Sequence, residues 1–216
     1  MSLQEQKRKL AEYWQETGLV TDKKAIKAFM QVPRELFVPE QYKAEAYGDH
    51  PLPLPSGQTI SQPTTVMIIT QALELHAEQK VLEVGAGSGY QAAIIAEMVG
   101  SKGMVYATEI IPELAELAQK NLAKAAIRNV KVINADGSNG YEKAAPYDRI
   151  VVSAACSEIP KPLAEQLKDE GIIVAPVGRT WLGQQLIKAR KKSGRLESQN
   201  LGDFVFVPLR GEHGIG

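Results

Sequence analysis

Three glycines, Gly85, Gly87 and Gly89, alternate along the stretch VLEVGAGSGY, residues 81–90. Glycine lets a chain turn sharply and approach a ligand with no Cβ in the way. The spacing is G-x-G-x-G; a dinucleotide fingerprint needs a glycine at its sixth position, where this chain has Tyr90. Glu109 stands twenty-four positions after Gly85, at the end of an apolar run, where a carboxylate can accept both hydrogen bonds of a ribose diol. Asp136-Gly137 closes a third such run, and its carboxylate suits an adenine amino group. The competing readings are a ligand-free strand-to-helix connection for the loop, and strand-end caps or Asx turns for the two acids. Glu83 interrupts an otherwise apolar strand, and a buried charge needs a partner: either the glycine loop or a cationic group of a ligand. Three strand ends meeting at one crevice point to a nucleoside.

The elements that must position these residues follow from periodicity. After Gln79, short β-rich runs alternate with helical ones: strands at 80–84, 104–109, 130–135, 147–155 and 171–177, helices at 90–99, 112–127 and 161–168. That is the rhythm of an α/β, doubly wound, mostly parallel sheet. Residues 184–192, a Ser193-Gly194 turn and FVFVPL (204–209) predict an antiparallel hairpin at the sheet edge. Ahead of the sheet, a helix over 3–17 ends at Gly18, and a second, N-capped by Thr21 and carrying Ile26, Phe29 and Met30 on one face, stops at Pro33. The proline-rich stretch from Pro33 to Pro63 is long for a loop, which marks it as a lid or binding segment. A third helix starts near Pro63 and carries Val66, Ile69 and Leu73.

The 216 residues, 44% of them apolar, suit a single domain over 1–216, with helices and lid in 1–63 and the cofactor-binding sheet and hairpin in 64–216. Twenty-five basic residues balance twenty-five acidic ones, so no overall field draws nucleic acid or an anionic membrane. The basic cluster Lys188, Arg190, Lys191, Lys192 and Arg195 reads as a solvated face of the hairpin. Cys156 is the only cysteine, which leaves no internal disulfide and no CxxC metal cluster, and no metal site is expected. The charged N-terminus and the lack of any apolar run of about 18 residues predict a cytoplasmic protein with no membrane segment.

Several longer stretches carry a family likeness: VPRELFVP (32–39), AYGDHPLPL (46–54), GQTISQP (57–63), VLEVGAGSGYQAA (81–93), PYDRIVVSAA (146–155), APVG (175–178) and FVPL (206–209). With these the chain resembles the protein-L-isoaspartate O-methyltransferases, within the class I S-adenosylmethionine-dependent methyltransferases. GQTISQP is the most specific of them. The resemblance implies a Rossmann-like, seven-stranded sheet with an antiparallel C-terminal hairpin and N-terminal helices. It implies methyl transfer from S-adenosyl-L-methionine, leaving S-adenosyl-L-homocysteine, to the free α-carboxylate of L-isoaspartyl residues in aged proteins and peptides. It further implies that Ser61 is the active-site serine, that Thr59, Ile60, Ser61 and Gln62 cover the cofactor and the reacting carboxylate, and that Gly85, Gly87, Ser88, Gly89, Glu109, Asp136 and Gly137 contact the cofactor. The chain departs from some relatives at Thr64, where they carry histidine, at Pro55-Ser56 and at Cys156.

This chemistry asks little of the protein's own nucleophiles. A carboxylate of ordinary pKa, about 4, is ionised at neutral pH and needs no general base. Ser61 then orients the nucleophile, unless its only task is to N-cap the helix that starts at Pro63. FVFVPL walls the cleft or is an ordinary core strand. Tyr90 disfavours a nicotinamide enzyme. SAAC (153–156) lacks both the Pro-Pro-aromatic run of adenine methyltransferases and the Pro-Cys of cytosine-5 enzymes. A non-catalytic binder of the same cofactor is the rival from outside the enzymes.

Overall fold

The computed structural model describes residues 1–180 and 183–215. Its helices are α1 (Leu3–Thr17), α2 (Lys23–Gln31), α3 (Pro63–Ala72), α4 (Tyr90–Val99), α5 (Pro112–Lys124) and α6 (Lys161–Gln166). Its strands are β1 (Leu52–Pro53), β2 (Thr59–Ile60), β3 (Lys80–Val84), β4 (Met104–Glu109), β5 (Val130–Asn134), β6 (Tyr147–Val152), β7 (Leu167–Thr180), β8 (Gly183–Lys192) and β9 (Arg195–Phe204).

Strands β3 to β9 form one seven-stranded sheet in the order β5-β4-β3-β6-β7-β8-β9, parallel as far as β7 and antiparallel through β8 and β9. From β3 the chain winds outward through β4 and β5 on one side, then returns to build β6 and β7 on the other. Such a reversal opens a crevice beyond the carboxyl ends of the central strands. The central strands are buried on both faces, which is why they read as near-continuous apolar runs: Val81, Leu82, Ile150, Val151, Ile172 and Val174 have no exposed surface. Helix α4 is buried on almost every side, and α2 packs on it.

The N-terminal helices are fixed to α3 by specific bonds. Trp14 has no exposed surface, meets Phe29 edge-on at 4.6 Å between ring centroids, and donates from Nε1 to Thr64 Oγ1 at 2.7 Å. Helix α2 is capped by Asp22, whose carboxylate accepts from Lys24 and Ala25 N–H. Thr21, expected in that role, instead gives its N–H and hydroxyl to Gln71 Oε1. A carboxylate one residue closer to the helix takes two of the free N–H groups and outcompetes the hydroxyl.

Two other expectations change. The stretch before α3 is more ordered than an irregular loop: β1 and β2 pair antiparallel, Leu52 with Ile60 and Pro53 with Thr59, around a turn in which Ser56 and Gly57 take φ of 58° and 69°. The hairpin that ends the sheet is made by β8 and β9, not by FVFVPL, which leaves the edge after Phe204. Residues 207–209 cross back over the sheet, with Ala155 N–H donating to Val207 O at 2.8 Å and Leu209 N–H to Ala155 O at 2.7 Å. An edge strand is held by its backbone and tolerates the polar RLESQNLGDF, whereas the apolar residues after it gain more by covering the crevice. The basic cluster is largely paired: Lys188 and Arg190 both meet Glu74, Lys192 meets Glu197, and Lys191 donates to the carbonyls of Ala164 and Leu167 at 2.8 Å. Among the described residues, no helix is long and apolar enough to cross a membrane.

Candidate active site

The glycine loop joins β3 to α4, and all three glycines take positive φ: 91° at Gly85, 53° at Gly87 and 87° at Gly89. Four of its five backbone donors are already used, and the Ser88 N–H has no partner among the described residues. Gly85 and Ala86 N–H donate to Thr108 O at 2.9 and 3.0 Å, Gly87 N–H to Glu109 Oε2 at 2.9 Å, and Gly89 N–H to Ala86 O at 2.8 Å. A loop that cradles pyrophosphate offers such N–H groups to the ligand. This one has little more than the Ser88 N–H to offer and stands beside the Glu83 and Glu109 carboxyl groups, which disfavours the dinucleotide reading and favours a ligand with positive charge.

A cavity opens above this loop at the carboxyl edge of the sheet. From the segment ahead of α3 it is lined by Thr59, Ile60 and Ser61; from the sheet and its turns by Gly85, Gly87, Ser88, Glu109 and Gly137. Eight of the expected residues thus meet at one site. Gln62, Gly89 and Asp136 do not line it. Gln62 is the N-cap residue of α3 without a side-chain capping bond, so Ser61 does not cap that helix. Gly89 serves helix packing: a Cβ there would lie 3.3 Å from Ala118 O and from Leu122 Cγ on α5.

Asp136 does what the competing reading described. Its carboxylate caps the turn after β5, accepting from Ser138 N–H at 2.9 Å, Ser138 Oγ at 2.7 Å and Glu212 N–H at 2.8 Å. Burial alone would raise its pKa, but these donors hold it below the ordinary carboxyl value. The C-terminal turn, with Gly211 at a φ of 113° against this carboxylate, brings the Glu212 donor within reach.

Two acids share the cavity wall. Glu109 is 6% exposed and accepts Gly87 N–H through Oε2 and Ile111 N–H, at 3.0 Å, through Oε1. Glu83 is 1% exposed; Ser153 Oγ lies 3.4 Å from Oε1, and Oε2 has no partner among the described residues. Burial first, and then the Glu109 carboxylate, push the Glu83 pKa well above its ordinary value, against a smaller lowering by Ser153.

Other residues shape the site from behind. Asn121, 4% exposed on α5, donates to Ser88 O at 3.0 Å and ties the loop to that helix. Its signal in the sequence is a polar residue on the apolar stripe Leu114, Ala118, Leu122. Asp49 holds the start of α3, accepting Thr64 N–H at 2.9 Å and Thr64 Oγ1 at 2.7 Å. Leu54 rests on the glycine loop, its Cδ1 3.8 Å from where a Cβ on Gly87 would stand. Phe206, Val207, Pro208 and Leu209 close the far wall, so FVPL faces the cleft as well as the core.

Comparisons with known proteins agree with this geometry. Residues 5–214 match the family profile described as protein-L-isoaspartate(D-aspartate) O-methyltransferase. The chain is 50% identical over 217 residues to protein-L-isoaspartate O-methyltransferase 2 of Archaeoglobus fulgidus, covering 100% of this chain and 97% of that one. It is 46% identical to the protein-L-isoaspartate O-methyltransferase of Pyrococcus horikoshii, covering 96% and 97%. A solved protein-L-isoaspartate O-methyltransferase superposes with a TM-score of 0.87 at 30% identity, over 96% of this chain and 67% of that one. A Plasmodium falciparum structure described as a β-aspartate methyltransferase in complex with S-adenosyl-L-homocysteine superposes with a TM-score of 0.83 at 25% identity, over 94% and 97%. The chain belongs to the protein-L-isoaspartate(D-aspartate) O-methyltransferase family.

Proposed function

We propose that this chain methylates the free α-carboxylate of L-isoaspartyl residues in damaged proteins, with S-adenosylmethionine as donor, and so begins their repair. The observation that carries the reading is the meeting of Thr59, Ile60 and Ser61 with two buried acids, Glu83 and Glu109, around one cavity whose glycine loop has already used four of its five N–H groups. These groups fit the cofactor: the unpartnered Glu83 Oε2 suits a cationic ligand, and Glu109 at a strand end suits a ribose diol. When bound, S-adenosylmethionine supplies a methyl group on a positively charged sulfur.

The residues divide the work. Gly85, Gly87 and Ser88 form the floor, Glu109 accepts from the sugar, and Gly137, in the turn that Asp136 caps, meets the adenine end. Gln62 fixes the segment as the first residue of the turn into α3, and Thr59 and Ile60 cover the site from β2. Gly89 acts through its contact with α5. Ser61 donates its hydroxyl to the substrate carboxylate and orients it; it is no nucleophile, because the nucleophile arrives on the substrate. Alignment supplies the rate, since well-oriented pairs reach effective molarities of about 10⁵–10⁸ M, and apolar groups such as Phe206 and Pro208 keep water out. The partners we assign are isoaspartyl-bearing proteins and peptides of the cytoplasm and not nucleic acid, in keeping with zero net charge and a single buried cysteine, Cys156.

The test is methyl transfer to an isoaspartyl peptide beside its normal aspartyl twin. Labelling of the isoaspartyl peptide alone is expected; labelling of both or neither rejects the function, and cofactor binding without transfer identifies a binder.

A further inference from the structure

Glu83 lies mid-strand in β3, next to Ala107 of β4 and Val151 of β6, and lines the cavity. From β4 it faces the Glu109 carboxylate, and from the end of β6 the Ser153 hydroxyl. From α4, Tyr90 lines the cavity while its ring packs on Phe37 and beneath the Arg34 guanidinium, 5.0 Å from the ring centroid, and burial keeps its phenol neutral. Among the described residues that line it, Arg210 is the single basic one, and it sits exposed on the C-terminal rim. Two carboxyls without a buried counter-charge hold one proton between them more cheaply than none. Both Glu109 oxygens accept main-chain N–H bonds, whereas Glu83 Oε2 accepts none, so the proton belongs on Glu83.

We propose that Glu83 gives up a proton when the cationic cofactor seats, so that cofactor binding is coupled to proton release; this rests on reading the cavity as the cofactor site. The Glu83 O–H bond breaks, its electron pair stays on the carboxylate, and the proton passes to buffer. The new carboxylate answers the positive charge brought by the ligand, and the net charge of the cavity is unchanged. Below the Glu83 pKa, cofactor affinity rises about tenfold per pH unit; above it the profile is flat.

The experiment is calorimetric titration of the full chain with S-adenosylmethionine and S-adenosylhomocysteine, in phosphate and in Tris at matched pH. Wild type should show a buffer-dependent enthalpy, with release approaching about one proton per site at the acid end of its range. Glu83→Gln, which mimics the protonated carboxyl, should bind with the same enthalpy in both buffers and with no pH slope in affinity. A buffer-independent wild-type enthalpy, or unchanged release from Glu83→Gln, overturns the proposal. Infrared difference spectra of wild type supply a measurement that needs no variant: the protonated-carboxyl stretch should vanish on binding, and its persistence overturns the coupling. Binding without proton release removes this inference alone; absence of binding removes the cofactor reading with it.

Discussion

Glu109 Oε2 accepts the backbone N–H of Gly87 at 2.9 Å, so the acid that ends one strand sets the turn that ends its neighbour. Loss of this carboxylate frees the loop and, on the proposed function, also removes a ligand acceptor. Glu109→Ala should therefore weaken cofactor binding by about 10–100-fold, as expected for lost hydrogen bonds to a charged group, while turnover at saturating cofactor changes far less. Titration and steady-state rates separate the two constants. Equal losses in both would contradict a binding role.

Ser61 gives the converse case. It lines the cavity and its hydroxyl has no hydrogen-bond partner among the described residues, which on the proposed function leaves that hydroxyl for the substrate. For Ser61→Ala the turnover number should fall about 10–100-fold, the cost of one transition-state hydrogen bond to an anion, with cofactor affinity nearly unchanged. If cofactor affinity falls in step with turnover, Ser61 is a cofactor residue and not an orienting one.

How far this site was legible beforehand depends on what each residue's neighbours demand. β3, β4 and α4 matched to the residue, because strands and helices buried on both sides need unbroken apolar runs. Edge strand β9 escaped because backbone pairing holds it and its side chains face water. Gly89 read as a cofactor glycine although its small size serves α5, since local spacing does not say which neighbour approaches. Asp136 shows the same limit over a longer range: a donor from Glu212, seventy-six residues on, reaches its carboxylate through the fold alone. Asp49 gave no signal and Asn121 only that of a polar residue on an apolar stripe, since each acts by holding backbone that other residues use.

The bond from Trp14 to Thr64 carries its own prediction. Thr64 Oγ1 receives the indole N–H and donates to Asp49 Oδ2, both at 2.7 Å, which joins α1, the lid segment and α3 just after Ser61. Thr64→Val keeps the shape and leaves the buried indole unpartnered. A cost of about 1–3 kcal/mol is expected, and the Tm should drop by roughly 2–12 °C for a chain of this size. Thermal unfolding checks this; Thr64→Ser should recover most of the loss, and an unchanged Tm for Thr64→Val would remove the bond from any role in stability.

Glu83 makes the ligand-free chain sensitive to pH in a direction fixed by its raised pKa. The folded form keeps the proton over a range in which the unfolded chain has already lost it, so the unfolded state binds fewer protons. Stability therefore falls as pH rises from the ordinary carboxyl value, near 4.5, toward the higher folded value, with a slope of at most about 1.4 kcal/mol per unit. Asp136, Asp148 and Glu74 are shifted the other way, so their contributions are lost only in more acid solution, below that window. Comparison of wild type with Glu83→Gln by urea unfolding between about pH 5 and 8 therefore isolates one carboxyl. The variant should gain on wild type steadily as pH rises, and saturating cofactor should erase much of that gain, because the ionised Glu83 then has its partner. A pH-independent difference between the two proteins would mean that Glu83 is ionised in the folded chain throughout.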